Sequence, residues 1–234
     1  MNDIAANLAR IRETIASAAR SVGRAPSDIS LVAVTKGHPV SSLELALDTG
    51  QRVFGENTVQ ESIEKISHFA GRGVEWHFIG HLQSNKAKFL PGNFSWLHSL
   101  DSVNLARRLS RLASEKNAIV DALIEVNITN DPAKHGVNPS KVLPMLDQLL
   151  NDKLAAVRLR GLMTVGPHPA TERDIRSNFA TLRRLREECA GRFALRDFSE
   201  LSMGMSSDYV PAIKEGATLL RIGTAIFRER DYSK

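Results

Sequence analysis

One lysine, one arginine and a set of glycines and hydroxyls stand where they can do chemistry together. Lys36 ends the apolar, β-branched run Leu31-Val-Ala-Val-Thr-Lys36 and is followed by Gly37-His38-Pro39. Bounded runs of this length read as buried strands. An ammonium at such a strand tip is half desolvated, which lowers its pKa and leaves more free amine. A free amine facing a pocket is the group that forms a Schiff base with an aldehyde. A lysine whose stem lies on the apolar surface while its charge stays in water fits the same hexapeptide. Near the C-terminus, Ser202-Met-Gly-Met-Ser-Ser207 and Arg221-Ile-Gly-Thr224 each lead into a helical pattern. Gly223 lets backbone approach a ligand, and N–H groups beside Ser206 and Thr224 hydroxyls suit an anion such as phosphate. Arg221 shares a strand face with Gly223. It suits an anion or a ring nitrogen there, or equally a salt bridge to a neighbouring strand.

Other residue patterns argue against other chemistries. His77 and His81 have metal-ligand spacing for a helix, but they fall on a strand, where four residues span about 13 Å. No cysteine cluster accompanies them, so no metal site is expected. No G-x-S-x-G elbow, G-x-G-x-x-G or G-x-x-x-x-G-K-[ST] occurs. Met203 and Met205 alternate along an extended piece, which allows one to face a pocket, with core packing as the default for both.

The elements that position these residues follow from the apolar periodicity. Ile4, Leu8, Ile11 and Ile15 mark an opening amphipathic helix over about Asn2 to Ser21. Eight strand–helix alternations follow. Strands are expected at 31–36, 53–55, 76–80, 96–98, 122–127, 159–164, 198–202 and 219–222. Helices are expected at 41–47, 58–70, 83–90, after Asp101 or Ser102, at 139–150, at 172–190, from Ser207 or Asp208 to Gly216, and from Gly223. Such alternation argues for a parallel sheet, and eight units in about 200 residues argue for a closed (β/α)8 barrel, an α/β fold, with an extra N-terminal helix. A doubly wound open sheet is the alternative. With no linker or composition break, residues 1–234 read as one domain. In a barrel the site lies at the carboxyl ends of the strands. Those ends are Lys36, Asn57, His81, Asn127, Met163, Ser202–Ser207 and Arg221–Thr224.

Composition bounds the partners. The net charge of +5 comes from 31 basic and 26 acidic side chains spread along the chain, with 6% aromatic residues and no basic–aromatic interleaving. This gives no support for nucleic-acid binding and suits an anionic small ligand. Cys189 is the only cysteine, so no internal disulfide forms and a reducing cytoplasm is the expected compartment. There is no signal-peptide pattern and no run of membrane length.

Taken together, the motifs resemble one family. They are Leu31–Lys36, Phe54-Gly-Glu-Asn57 with Val59-Gln-Glu61, Trp76-His-Phe-Ile-Gly80 with Leu82–Lys86, Gly161-Leu-Met163, Leu201–Ser206 with Asp208, and Leu220–Thr224. In this order they are similar to the pyridoxal phosphate homeostasis proteins, the family of bacterial YggS and the proline synthetase co-transcribed homologue. The resemblance implies a single barrel like the N-terminal domain of alanine racemase. It implies pyridoxal 5′-phosphate as cofactor, held as an imine on Lys36. It also implies phosphate contacts from Ser206, Gly223 and Thr224, Arg221 at the pyridine nitrogen, Asn57 beside the ring, and Met203 as the nearby methionine. The implied role is non-catalytic: buffering or delivering the cofactor within vitamin B6 and amino-acid balance, as a monomer, with apo forms of pyridoxal phosphate enzymes as partners. A small pyridoxal phosphate enzyme such as a racemase is the alternative. Racemisation needs a base on each face of the substrate carbon. The racemase's second base is a tyrosine from a further domain, and this chain has only Tyr209 and Tyr232. Thr58, Gly37-His38, Arg228 and Asp131 depart from the family's usual residues, Arg228 standing where glycine is common.

Overall fold

A computed structural model describes residues 3–167 and 169–228. Eight parallel strands close into a barrel in chain order, each paired with its neighbours and β8 with β1, which excludes the open sheet. The strands are β1 (Ser30–Val34), β2 (Val53–Glu56), β3 (Glu75–Phe78), β4 (Trp96–Leu100), β5 (Val120–Glu125), β6 (Val157–Met163), β7 (Glu200–Ser202) and β8 (Leu219–Ile222). The helices are α1 (Ile4–Ser21), α2 (Val40–Asp48), α3 (Val59–His68), α4 (Val103–Glu115), α5 (Pro139–Asn151), α6 (Glu172–Arg192), α7 (Tyr209–Lys214) and α8 (Thr224–Phe227). The expected helix at 83–90 is a 3-10 helix, Ser84–Phe89.

Strand alternation divides the apolar residues into two cores. The larger lies between the strands and the helix ring and includes Ala33, Phe54, Phe78, Leu97, Ile124, Leu162, Leu201 and Leu220. The smaller fills the barrel itself with Val32, Leu123, Met163 and Leu219, flanked by Val53 and Trp96. Helix α1 carries Ile4, Leu8, Ile11 and Ile15 on its buried face, and Asp3 caps it by accepting the Ala6 N–H at 2.8 Å. It ties the two ends of the barrel together: Asn7 donates to the Ile226 carbonyl at 2.9 Å and Arg12 to the Thr49 carbonyl at 2.9 Å. Among the described residues no helix is long and apolar enough to cross a membrane.

Strand β1 is shorter than the run to Lys36 suggested. It ends at Val34, and Thr35 to His38 form a turn closed by the His38 N–H on the Thr35 carbonyl at 3.1 Å. Gly37 takes a φ of 71° in that turn, a conformation that costs glycine little and other residues more. Lys36 therefore sits on the loop just past the strand, half-buried. Strand β7 begins two residues later than expected, at Glu200, and β5 and β6 each begin two residues earlier, at Val120 and Val157.

Candidate functional site

The ends of β1 and β8 build the centre of the site. Val32 pairs with Arg221 and Ala33 with Ile222, so the register carries Val34 opposite Gly223. A Cβ on Gly223 would lie 3.2 Å from the Val34 carbonyl oxygen. Glycine at this position keeps the two strand ends in close approach. Beyond Gly223, the Ala225 N–H donates to Ser206 Oγ at 3.1 Å, which draws the loop after β7 onto the start of α8. That loop is shaped by Gly204, whose φ is 95° and whose carbonyl accepts the Arg221 N–H at 3.0 Å. Asp208 closes it by accepting the Met205 N–H. Ser206, Gly223 and Thr224 are thus neighbours, with Thr224 exposed and Gly223 and Ser206 half-buried.

Asn57 follows β2, next to β1, where Val34 pairs with Gly55. Its backbone is crowded by the end of β3: a Cβ on Gly80 would stand 2.2 Å from the Asn57 carbonyl oxygen. That contact admits only glycine at position 80 and sets where Asn57 lies on the rim.

Arg221 is 5% exposed. Its guanidinium donates to Ser202 Oγ and, at 2.9 Å, to the Thr164 carbonyl. Burial pulls its pKa down to about 10, against the pull of Glu125 and Asp208 in the other direction, so it remains a cation near neutral pH. Glu125, at the end of β5, is 8% exposed and its Oε2 has no hydrogen-bond partner. Burial pushes its carboxyl above the usual range, opposed by Arg221.

Met203 is misplaced in the sequence reading. Ser202 faces into the barrel, so its neighbour faces out. Met203 is 0% exposed and packs in the core under the helices with Leu201, Ala212 and Ile213, with no surface to offer a ligand. Met205 is the half-buried methionine of this stretch. Met163 fills the barrel interior, and the Asn127 amide holds the loop after β5 through the Asp131 and Lys134 carbonyls at 2.8 and 3.2 Å. His77 is buried in the barrel and His81 lies on the rim, stacked on His135 with ring centroids 3.9 Å apart and 3.4 Å from Asp101. Among the described residues no group of three His, Cys, Asp or Glu side chains is placed to hold a metal ion. Ser202 was legible only as the start of the Ser202–Ser207 strand end, and Glu125 and His98 not at all. Each is a single polar residue on an inward strand face, and inward alternation is the one signal that marks it.

The model of the alanine racemase N-terminal domain matches residues 4–231. The pyridoxal phosphate homeostasis protein of Escherichia coli K12 is 43% identical over 240 residues, covering 100% of both chains. The chain belongs to the pyridoxal phosphate homeostasis protein family. PipY of Synechococcus elongatus PCC7942, a structure with PLP bound, superposes with a TM-score of 0.84 at 37% identity, over 96% of this chain and 99% of that one. Alanine racemase of Clostridium difficile 630 gives a TM-score of 0.70 at 15% identity, covering 97% of this chain and 55% of the racemase, which shows a shared fold. The relatives in the homeostasis family are named for homeostasis, not for a reaction.

Proposed function

We propose that this protein holds pyridoxal 5′-phosphate on Lys36 and buffers or delivers it, serving vitamin B6 and amino-acid balance without turning over a substrate of its own. The observation that carries the reading is the β1–β8 edge. The Val32–Arg221 register brings the Lys36 loop, the Gly223–Thr224 turn and a buried cation to one rim. The donor set fits the cofactor's three handles. An amine suits the aldehyde, backbone and hydroxyl donors at Ser206, Gly223 and Thr224 suit the phosphate, and a cation suits a ring nitrogen that carries no proton. The close approach of Gly223 to Val34 leaves no room for a side chain where the phosphate would seat. Bound pyridoxal phosphate supplies an aldehyde that an amine captures reversibly and a ring that withdraws electrons.

The residues then divide the work. Lys36 Nζ gives the attachment point. Ser206, whose oxygen already accepts the Ala225 N–H, turns its hydroxyl proton toward the anion. Asn57 borders the ring on the β2 side. Arg221 presents positive charge to the ring nitrogen and so disfavours protonating it, because two cations would then face each other. An unprotonated ring stabilises a carbanion less, which suits holding over turnover.

The test is a visible spectrum of purified protein before and after borohydride reduction, followed by peptide mapping. The yellow band is expected to disappear and the label to lie on the Lys36 peptide. Label on Lys86, Lys134 or another lysine would overturn the assignment. Lys36→Ala is expected to lose the yellow band while retaining loose binding through the phosphate contacts.

A further inference from the structure

Arg221 is the upper end of a line of hydrogen bonds that runs down the inside of the barrel. The guanidinium donates to Ser202 Oγ. Ser202 Oγ lies 2.9 Å from His98 Nδ1, His98 Nε2 lies 2.8 Å from His77 Nδ1, and His77 Nε2 lies 2.8 Å from Glu75 Oε1. Alternation places all five residues on inward faces, of β8, β7, β4 and β3. His98 is 0% exposed and His77 1%, while the Glu75 side chain at the far end is 45% exposed. Trp96 stacks on His77 with centroids 5.3 Å apart and also hydrogen bonds Glu75.

The two ends and the burial of the two rings together set the direction of donation. A guanidinium only donates and a carboxylate only accepts. Ser202 accepts from Arg221 and keeps its own proton to donate to His98 Nδ1. A neutral ring that accepts at Nδ1 carries its proton on Nε2, which faces His77 Nδ1. His77 in turn carries its proton on Nε2 and donates it to Glu75. Every donor points away from the site, and both rings are neutral. In the opposite arrangement His98 donates to Ser202 from Nδ1 and accepts from His77. That leaves His77 protonated on both nitrogens so as to meet Glu75, a charged ring sealed under Trp96. Burial works against that form, holding His77 below the usual histidine range and His98 well below it.

We propose that His98 is a positioning residue that, through Ser202, holds the Arg221 guanidinium in the one orientation that faces the ring nitrogen of the bound ligand. Without an acceptor at His98, the Ser202 hydroxyl is released to rotate and Arg221 loses a defined partner on one nitrogen. The cost falls on the one ligand contact that Arg221 makes and on no other. The ligand half of this inference rests on the cofactor reading above; the hydrogen-bond half does not.

The two halves are tested separately. Long-range 15N–1H NMR of the cofactor-free protein at pH 7.5 is expected to show His98 and His77 both neutral with the proton on Nε2. A proton on His98 Nδ1 would overturn the chain. Dissociation constants are then measured for pyridoxal phosphate and for its analogue with carbon in place of the ring nitrogen. His98→Phe is expected to weaken pyridoxal phosphate about tenfold, the scale of one hydrogen bond to a charged group, and to leave the analogue within about twofold. His98→Asn, which puts an amide oxygen near the Nδ1 position, is expected to recover most of the loss. Ser202→Ala adds no bulk, and is expected to show the same selective loss if the phenylalanine variant does not fold. Unchanged affinity in these variants, or equal losses for both ligands, would overturn the positioning role. Wild-type protein that shows the expected tautomers and binds neither ligand would instead overturn the cofactor reading.

Discussion

Removing Lys65 tests what holds the Lys36 turn. Lys65, on α3, is 5% exposed, and its ammonium donates to the Thr35 carbonyl at 2.7 Å, Glu56 Oε1 at 2.7 Å and Glu61 Oε1 at 2.8 Å. Glu61 in turn accepts the Gly37 N–H, so both peptides flanking Lys36 are tied to this group. Glu56 is 0% exposed, accepts the Thr35 hydroxyl at 2.6 Å, and leaves Oε2 without a partner. Lys65→Met removes the cation and strands the carboxylate. Breaking a buried pair from one side costs about 3–5 kcal/mol. For a chain of this size that is a fall in Tm of about 6–20 °C. Burial already holds the Glu56 carboxyl above its ordinary value, against Lys65 and Thr35, and loss of Lys65 raises it further. A carboxyl whose folded pKa is raised binds its proton more tightly in the folded state. Protonation therefore favours the fold, and that contribution is lost as pH rises through the folded value. The deficit of Lys65→Met is accordingly expected to be larger at pH 8 than at pH 5.5 in thermal melts followed by circular dichroism. Lys65→Met combined with Glu56→Gln is expected to regain more than half of the loss at pH 8. A deficit independent of pH, or a double variant no more stable than the single one, would refute the reasoning.

Three further outcomes are expected. Thr224→Val removes a hydroxyl from the proposed phosphate seat, so it should weaken pyridoxal phosphate about tenfold or more, one charge-assisted hydrogen bond being about 1.5–3 kcal/mol, and leave unphosphorylated pyridoxal unaffected in parallel titrations. Arg228 adopts φ 66° and ψ −175°, a region that suits glycine, so Arg228→Gly should raise stability by about 1 kcal/mol and Tm by about 2–4 °C in calorimetry. The loaded protein should not racemise amino acids, since Tyr209 packs against the core under the helices; Tyr232 lies outside the described residues and carries no part of this expectation. Enantiomer conversion in D2O above about 1 s⁻¹ that vanishes in Lys36→Ala would favour an enzyme.

The barrel was legible because its signals are periodic and repeated. Ile4, Leu8, Ile11 and Ile15 place α1, and eight alternations place the strands, so a boundary error of two residues at β5, β6 or β7 leaves the topology intact. The placement of Lys36, Ser206, Arg221, Gly223 and Thr224 near one rim was legible because each sits at or just past a strand end or at a helix start. The turn at Thr35–His38 was harder, since the β-branched run continues to Thr35 and only Gly37 marks the break. Met203 went wrong for a physical reason: a motif specifies which residues occur together, whereas the side that each one faces follows from the parity of β7, and Ser202 takes the inward place. His98 and Glu125 carry no motif. A polar residue inside an apolar strand reads as noise until its cross-barrel partner is known, and those partners come from strands distant in sequence.

The parity of β1 and β2 explains how a buried ion cluster comes to stand directly beside the Lys36 turn. Along β1, Val32 and Val34 face the barrel, and Lys36 follows on the turn just past the strand end. The residues between them, Ala33 and Thr35, face the helices. Along β2, Gly55 faces Val32 while Phe54 joins the outer core and Glu56 meets Thr35 and Lys65. Thr35 thus closes the ion cluster under α3, while Lys36, the next residue, lies half-buried on the turn. The cluster needs low dielectric to make its charged hydrogen bonds strong, whereas the proposed role of Lys36 needs an amine that an aldehyde can reach. A single step from the strand end into the turn separates the two environments.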